Sequence, residues 1–273
     1  MKGLHPDNRP IGVFDSGIGG LTVANAIFRT LPAESLIYFG DTARVPYGPR
    51  PPETIQRFSI EISRFLMDQG AKVIVVACNT ASASALSVLR QTWPGFPFVG
   101  MEPAVKPAAK ATRTGVIGVL ATEGTFKSQR YAGLMDRYAA GIRVFEDPCL
   151  GLVPLIESGK WEAPETEALI TSIIRPMLAG GADTLVLGCT HYPLILPLIR
   201  RVAGPEVQII DPAPAVARQV ARVLENESLA AAPDNRPSRR FFASGNDASL
   251  RLTLDHLTGA APPVSKHPMY EAG

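Results

Sequence analysis

Three short segments hold the residue types that could do chemistry. Val73–Ala77 runs into Cys78-Asn79-Thr80, and Thr184–Leu187 runs into Gly188-Cys189-Thr190-His191. Ile11–Phe14 runs into Asp15-Ser16-Gly17-Ile18-Gly19-Gly20. Each reads as an apolar strand, a turn and a helix start, the place where open α/β sheets meet their ligands. A cysteine there faces the free N–H groups of a helix, which stabilise a thiolate. His191 can act as acid or base, or polarise Cys189. For either cysteine alone, a small buried hydrophobe is the simpler reading. The pair points further, because inverting a carbon centre needs one group to take a proton and another to deliver one to the opposite face. Thiols, with an unperturbed pKa of about 8.5, can do this near neutrality if tuned downward or served by a neighbouring base. Asp15 and His191 are the candidate assistants. Ser16, Asn79, Thr80, Thr122 and Thr190 add donors and acceptors that suit a small zwitterion with its carboxylate on helix N-termini.

The Asp15–Gly20 turn is also open to reading as a dinucleotide loop or a plain turn. Its Gly17-x-Gly19 lacks the third glycine at the required spacing, and Asp15 would repel a pyrophosphate. Cys149, in Asp147-Pro148-Cys149-Leu150, has no comparable context and reads as structural.

The elements that must position these residues follow from hydrophobic pattern. Continuous apolar runs at Ile11–Phe14, Ser35–Phe39, Val73–Ala77, Phe98–Gly100, Val116–Leu120, Thr184–Leu187 and Val207–Ile210 fit parallel strands buried on both faces. Helical spacing marks Glu53–Gln69 and Glu165–Leu178, where Pro176 is expected to end or kink the helix. Alternation of strand and helix predicts βαβ units. Ile11-Gly12-Val13-Phe14 resembles Ile117-Gly118-Val119-Leu120, 106 residues on, and the two junction cysteines lie 111 residues apart. The repeat predicts an α/β fold of two pseudo-symmetric lobes, each a mostly parallel sheet flanked by helices, with the active site in the interlobe cleft. The first lobe is placed at residues 10–100 plus 212–258 and the second at 101–211. Asn226–Arg240 reads as a loop and Gly259–Gly273 as a flexible tail.

Composition bounds the class. The chain has 273 residues, 46% of them hydrophobic, and a formal charge of +2, which gives no reason to expect a nucleic-acid partner. Three cysteines are too few for a disulfide framework at this length and point to a reducing, cytoplasmic compartment. The polar start lacks a signal-peptide core, and no apolar run is long enough for a membrane span. No Cys/His spacing suggests a metal.

The chain resembles the cofactor-independent aspartate/glutamate racemase family, most closely its glutamate-specific members. The resemblance rests on Ile11–Gly20, Tyr38-Phe39-Gly40-Asp41-Thr42-Ala43-Arg44-Val45-Pro46-Tyr47-Gly48, Val75–Ala83 and Leu185–Leu194. Weaker similarity continues through Phe241-Phe242-Ala243-Ser244-Gly245. It implies interconversion of L- and D-glutamate without a cofactor, supplying D-glutamate for peptidoglycan. It implies Cys78 acting on D-glutamate and Cys189 on L-glutamate, assisted by Asp15 and His191. Glu157 resembles a carboxylate that partners the histidine, although Pro148-Cys149 departs from the usual Cys-Pro order. Asp15, Ser16, Tyr47, Gly48, Asn79, Thr80, Thr122, Thr190 and His191 are the implied substrate contacts, and a homodimer is the expected assembly. Pro51 stands where serine is common, which removes an expected helix cap. Three other readings remain open on the residues themselves: a racemase of aspartate or another amino acid, a module that binds an amino acid without turnover, and a dithiol redox pair.

Overall fold

The computed structural model describes residues 6–267. Ten strands alternate with eleven α-helices among them. The strands are β1 Ile11–Asp15, β2 Leu36–Gly40, β3 Val73–Val76, β4 Phe98–Val99, β5 Val116–Ala121, β6 Arg143–Asp147, β7 Thr184–Gly188, β8 Gln208–Ile210, β9 Arg239–Ala243 and β10 Val264–Lys266. The helices are α1 Leu21–Thr30, α2 Pro52–Asp68, α3 Asn79–Thr92, α4 Val105–Ala111, α5 Glu123–Phe126, α6 Gln129–Tyr138, α7 Leu152–Glu157, α8 Pro164–Ala179, α9 Leu196–Ala203, α10 Ala213–Asn226 and α11 Ala248–Thr258.

The strands form two sheets, ordered β10-β9-β2-β1-β3-β4 and β6-β5-β7-β8, and every pairing is parallel. Within the first sheet, β2-β1-β3-β4 has the same order as the whole second sheet, with β5 in the place of β1 and β7 in the place of β3. The internal repeat is therefore one of topology. In both sheets the order reverses beside the central strand, which opens a crevice at the carboxyl ends of β1/β3 and β5/β7. The chain passes from one sheet to the other between β4 and α4, and returns between β8 and α10. Helix α10 then packs against α1 in the first lobe.

The central strands are apolar throughout because helices cover both sheet faces, and β1, β2, β3 and β7 are fully buried. Helix α2 buries Ile55, Phe58, Ile62 and Leu66 on one face. It starts at Pro51 with no side-chain cap; Pro52 at the first position carries the preset φ that a helix start needs. Pro176 lies inside the last turn of α8, which continues to Ala179 and ends at Gly180. Its missing N–H therefore disturbs only the end of the helix. At the base of β7, Asp183 accepts hydrogen bonds from Thr112 Oγ1 (2.6 Å) and the Arg113 and Thr114 amides (2.7 and 3.0 Å). Burial raises its pKa, but those bonds outweigh it and bring the carboxyl down to about 2.

Two expectations change. Gly259–Gly273 is not wholly a tail: Val264–Lys266 is the edge strand β10, in register with Phe241–Ala243. Its residues 268–273 lie outside the described residues. The segment read as a loop through Arg240 already enters β9 at Arg239, which pairs with Leu36.

Candidate active site

Cys78 caps the N-terminus of α3 with extended backbone (φ −140°, ψ 124°). Its Sγ accepts from the Ala81 amide at 3.4 Å and lies 3.8 Å from Ser16 Oγ, so β1 and β3 both feed this corner. The thiol is 5% exposed. Burial, reinforced by the nearby Asp15 carboxyl, pushes its pKa up to about 12, while the Ala81 N–H and the Ser16 hydroxyl pull the other way. Because the shift is upward, the neutral thiol dominates at lower pH and thiolate grows in only as pH rises toward that value. In the protein without substrate, alkylation of Cys78 by iodoacetamide should stay slow at pH 8 and accelerate through pH 10 and above. A midpoint near the ordinary thiol value of about 8.5 would contradict this.

Cys189 follows β7 as Cys78 follows β3. Its Sγ lies 3.6 Å from His191 Nδ1, and His191 Nε2 lies 2.6 Å from Glu157 Oε1. A proton on Nε2 leaves Nδ1 free to accept from the thiol, and in the imidazolium Nδ1–H donates to a thiolate. Burial is the largest influence on His191 and opposes the cation. Cys189 and Glu157 together outweigh it and hold His191 well above the ordinary histidine range. Asp15, wholly buried, accepts from the Gly17 amide (2.8 Å) and from Thr190 Oγ1 (3.1 Å). Burial raises its pKa, and the positive charge of His191 partly offsets that.

The glycines between Asp15 and Leu21 are explained by what comes close to them. A Cβ on Gly17 would stand 1.9 Å from Glu157 Oε1, and one on Gly19 would stand 2.6 Å from both His191 Nδ1 and Thr190 Oγ1. They admit the second lobe to the end of β1, a role different from cradling a phosphate.

One small cavity of about 20 Å³ lies between the lobes. Ser16, Tyr47, Gly48, Cys78, Asn79, Thr80, Thr122, Cys189, Thr190 and His191 all line it. Asp15 and Glu157 stand behind this lining, Asp15 bonded to Thr190 and Glu157 to His191. Pro46, Val153 and Gly188 line it as well, and sequence reasoning missed them. Val153 carries no chemical signal, whereas Pro46 and Gly188 sit inside segments already singled out. Asn79 is 4% exposed, and neither atom of its amide has a hydrogen-bond partner. A buried amide in that state is costly unless a ligand satisfies it. Thr80 and Thr122 share a hydroxyl contact of 2.8 Å across the cleft. The Tyr47 hydroxyl donates to Asp41, which also accepts from Arg44 Nε (2.6 Å) and Ser244 Oγ (2.7 Å). Asp41 thus fixes the loop that carries Tyr47 and Gly48; in the sequence it stands within segment 38–48 with no role assigned to it. Larger hollows of about 620 and 670 Å³ lie away from the thiols. Cys149 is buried, away from the cavity lining, with its amide bonded to Asp147 Oδ1 at 2.7 Å.

Two thiols, a His–carboxylate pair and an unsatisfied amide can hold a small polar molecule and move a proton on it. The family model for Asp/Glu/hydantoin racemases matches residues 11–220. The chain belongs to that racemase family. It is an enzyme of the isomerase class. This racemase is 48% identical over 250 residues to the glutamate racemase of Stutzerimonas stutzeri, covering 92% of this chain and 94% of that one. It matches the crystal structure of glutamate racemase isoform RacE1 from Bacillus anthracis with a TM-score of 0.84 at 35% identity, covering 96% and 99% of the two chains. Glutamate racemase from Francisella tularensis in complex with D-glutamate matches with a TM-score of 0.82 at 33% identity, covering 96% and 98%.

Proposed function

We propose that this racemase interconverts L- and D-glutamate by moving the α-proton between Cys78 and Cys189. The observation that carries the reading is the placement of both thiols in the lining of one cavity, each at the end of the equivalent strand of its sheet. Glutamate enters with its α-carbon between them. Cys78 removes the α-proton of D-glutamate and Cys189 that of L-glutamate, and the opposite thiol returns a proton to the other face. A buried thiol is a poor base while it is neutral. The α-ammonium of the bound amino acid brings the positive charge that stabilises a thiolate in the closed cleft. On one side Asp15 accepts from Thr190 and is the nearby carboxyl felt by Cys78; on the other, His191 and Glu157 relay protons to and from Cys189. The Asn79 amide and the Thr80, Thr122 and Thr190 hydroxyls take the two carboxylates and the ammonium.

The D-glutamate formed serves peptidoglycan synthesis. A cytoplasmic setting is supported by three free thiols, and no helix among the described residues is long and apolar enough to cross a membrane. The likeness to glutamate racemases favours that substrate over aspartate, and racemisation followed by circular dichroism on both amino acids tests the choice. A preference for glutamate in kcat/KM of at least about tenfold is expected from a pocket fitted to one more methylene. Faster turnover of aspartate would overturn the assignment.

A further inference from the structure

The 20 Å³ cavity has room for little more than one water, so the lobes must part before an amino acid can enter. Something must then hold them closed around it. The second lobe reaches across to the first through α7 and the turn that follows. Glu157, at the end of α7, accepts the Ile18 N–H of the first lobe at 2.9 Å with the same Oε1 that meets His191. Four residues on, the Trp161 ring lies against the His256 ring of α11, with centroids 4.5 Å apart and planes at 50°. The Trp161 indole N–H donates to Ile156 O at 2.9 Å, so the ring is tied to the residue beside Glu157. Leu252 of α11 lies over the same turn, where a Cβ on Gly159 would meet its Cδ2 at 2.9 Å.

We propose that α7 and its following turn are a latch between the lobes, and that Trp161 and His256 are positioning residues that set Glu157 against Ile18 and His191. When the latch is engaged, Glu157 orients His191 beside Cys189. When it releases, Glu157 leaves Ile18 and the cleft opens. Proton transfer is thereby confined to the closed state, in which water is excluded. The consequence for turnover rests on the racemase reading above; the latch itself does not.

His256 and half-exposed Leu252 lie outside the cavity lining, so they can be changed without touching it. Hydrogen exchange followed by mass spectrometry, on the protein without substrate, reads the opening directly at residues 17–20. In His256→Ala, exchange there should quicken by about threefold to tenfold, the range expected from losing one ring pair. His256→Phe should restore the slow rate, because it keeps the ring. Leu252→Ala should quicken exchange in the same direction. With substrate, His256→Ala should raise KM by a similar factor and leave kcat within about twofold, since fewer molecules are closed but the closed site is intact. Wild-type exchange in both alanine variants, or no rescue by phenylalanine, overturns the latch. Because exchange is measured without turnover, it reads the latch in the same way even if the enzyme acts on a different substrate.

Discussion

Replacing either Cys78 or Cys189 with alanine should lower kcat/KM by about a thousandfold in both directions of the reaction. The size follows from removing a positioned proton donor or acceptor. Both directions suffer because, in the proposed mechanism, each thiol is a base for one enantiomer and an acid for the other. The fold should survive, since Cys78→Ala removes one helix-capping contact, the 3.4 Å bond from the Ala81 amide, worth about 1 kcal/mol. Cys149 supplies the control. It is buried behind the site with a left-handed backbone (φ 49°) that alanine tolerates as well as cysteine does. Cys149→Ala should therefore keep kcat/KM within about threefold. Steady-state kinetics with each enantiomer check all three. Full activity in either of the first two variants would contradict the two-thiol mechanism.

The second large effect comes from a residue with no side chain. Gly17→Ala places a Cβ 1.9 Å from Glu157 Oε1 and 2.9 Å from its Cδ, closer than atoms can approach. The carboxylate must move, which breaks its bonds to Ile18 and His191 together. The expected result is a loss of about a hundredfold in kcat/KM and about 1–3 kcal/mol of stability. Gly133→Ala is the comparison, because nothing lies within 4 Å of a Cβ there. In the interior of α6, alanine should be neutral or slightly stabilising. Kinetics and thermal melting of the two variants separate a contact at the site from a general cost of replacing glycine. Wild-type turnover in Gly17→Ala would show that Glu157 and His191 need not stand where they do.

Much of this arrangement is visible in the chain before folding, for physical reasons. Strands β1, β3, β5 and β7 are buried on both faces, so they read as unbroken apolar runs, and their polar ends carry the candidate site residues. Strand β6 is a half-exposed edge of mixed sequence, Arg-Val-Phe-Glu-Asp, with no such run. Strand β9 opens on Arg239-Arg240, which reads as loop, yet it is held between β2 and β10. Tertiary pairing decides there, and local pattern does not carry it. At the site, residue types identified the thiols, Asn79 and His191. They did not reveal that Asp15 and Glu157 stand behind the cavity lining. Nor could they give the Ile18–Glu157 bond, which joins positions 139 residues apart. The Gly-rich turn after β1 illustrates the same limit: its glycines answer to Glu157, His191 and Thr190, residues that meet them only after both lobes have formed.

In the two-thiol mechanism the α-proton of glutamate leaves to one thiol and is replaced from the other. Conversion of L-glutamate, and separately of D-glutamate, in deuterium oxide without added pyridoxal phosphate measures this directly by proton NMR at the α-carbon after chiral derivatisation, which gives the two enantiomers separate signals. Early in the reaction, the product enantiomer should carry solvent deuterium at that carbon while the remaining substrate keeps its proton. Product that retains the original proton, or no exchange from either enantiomer, would contradict the mechanism.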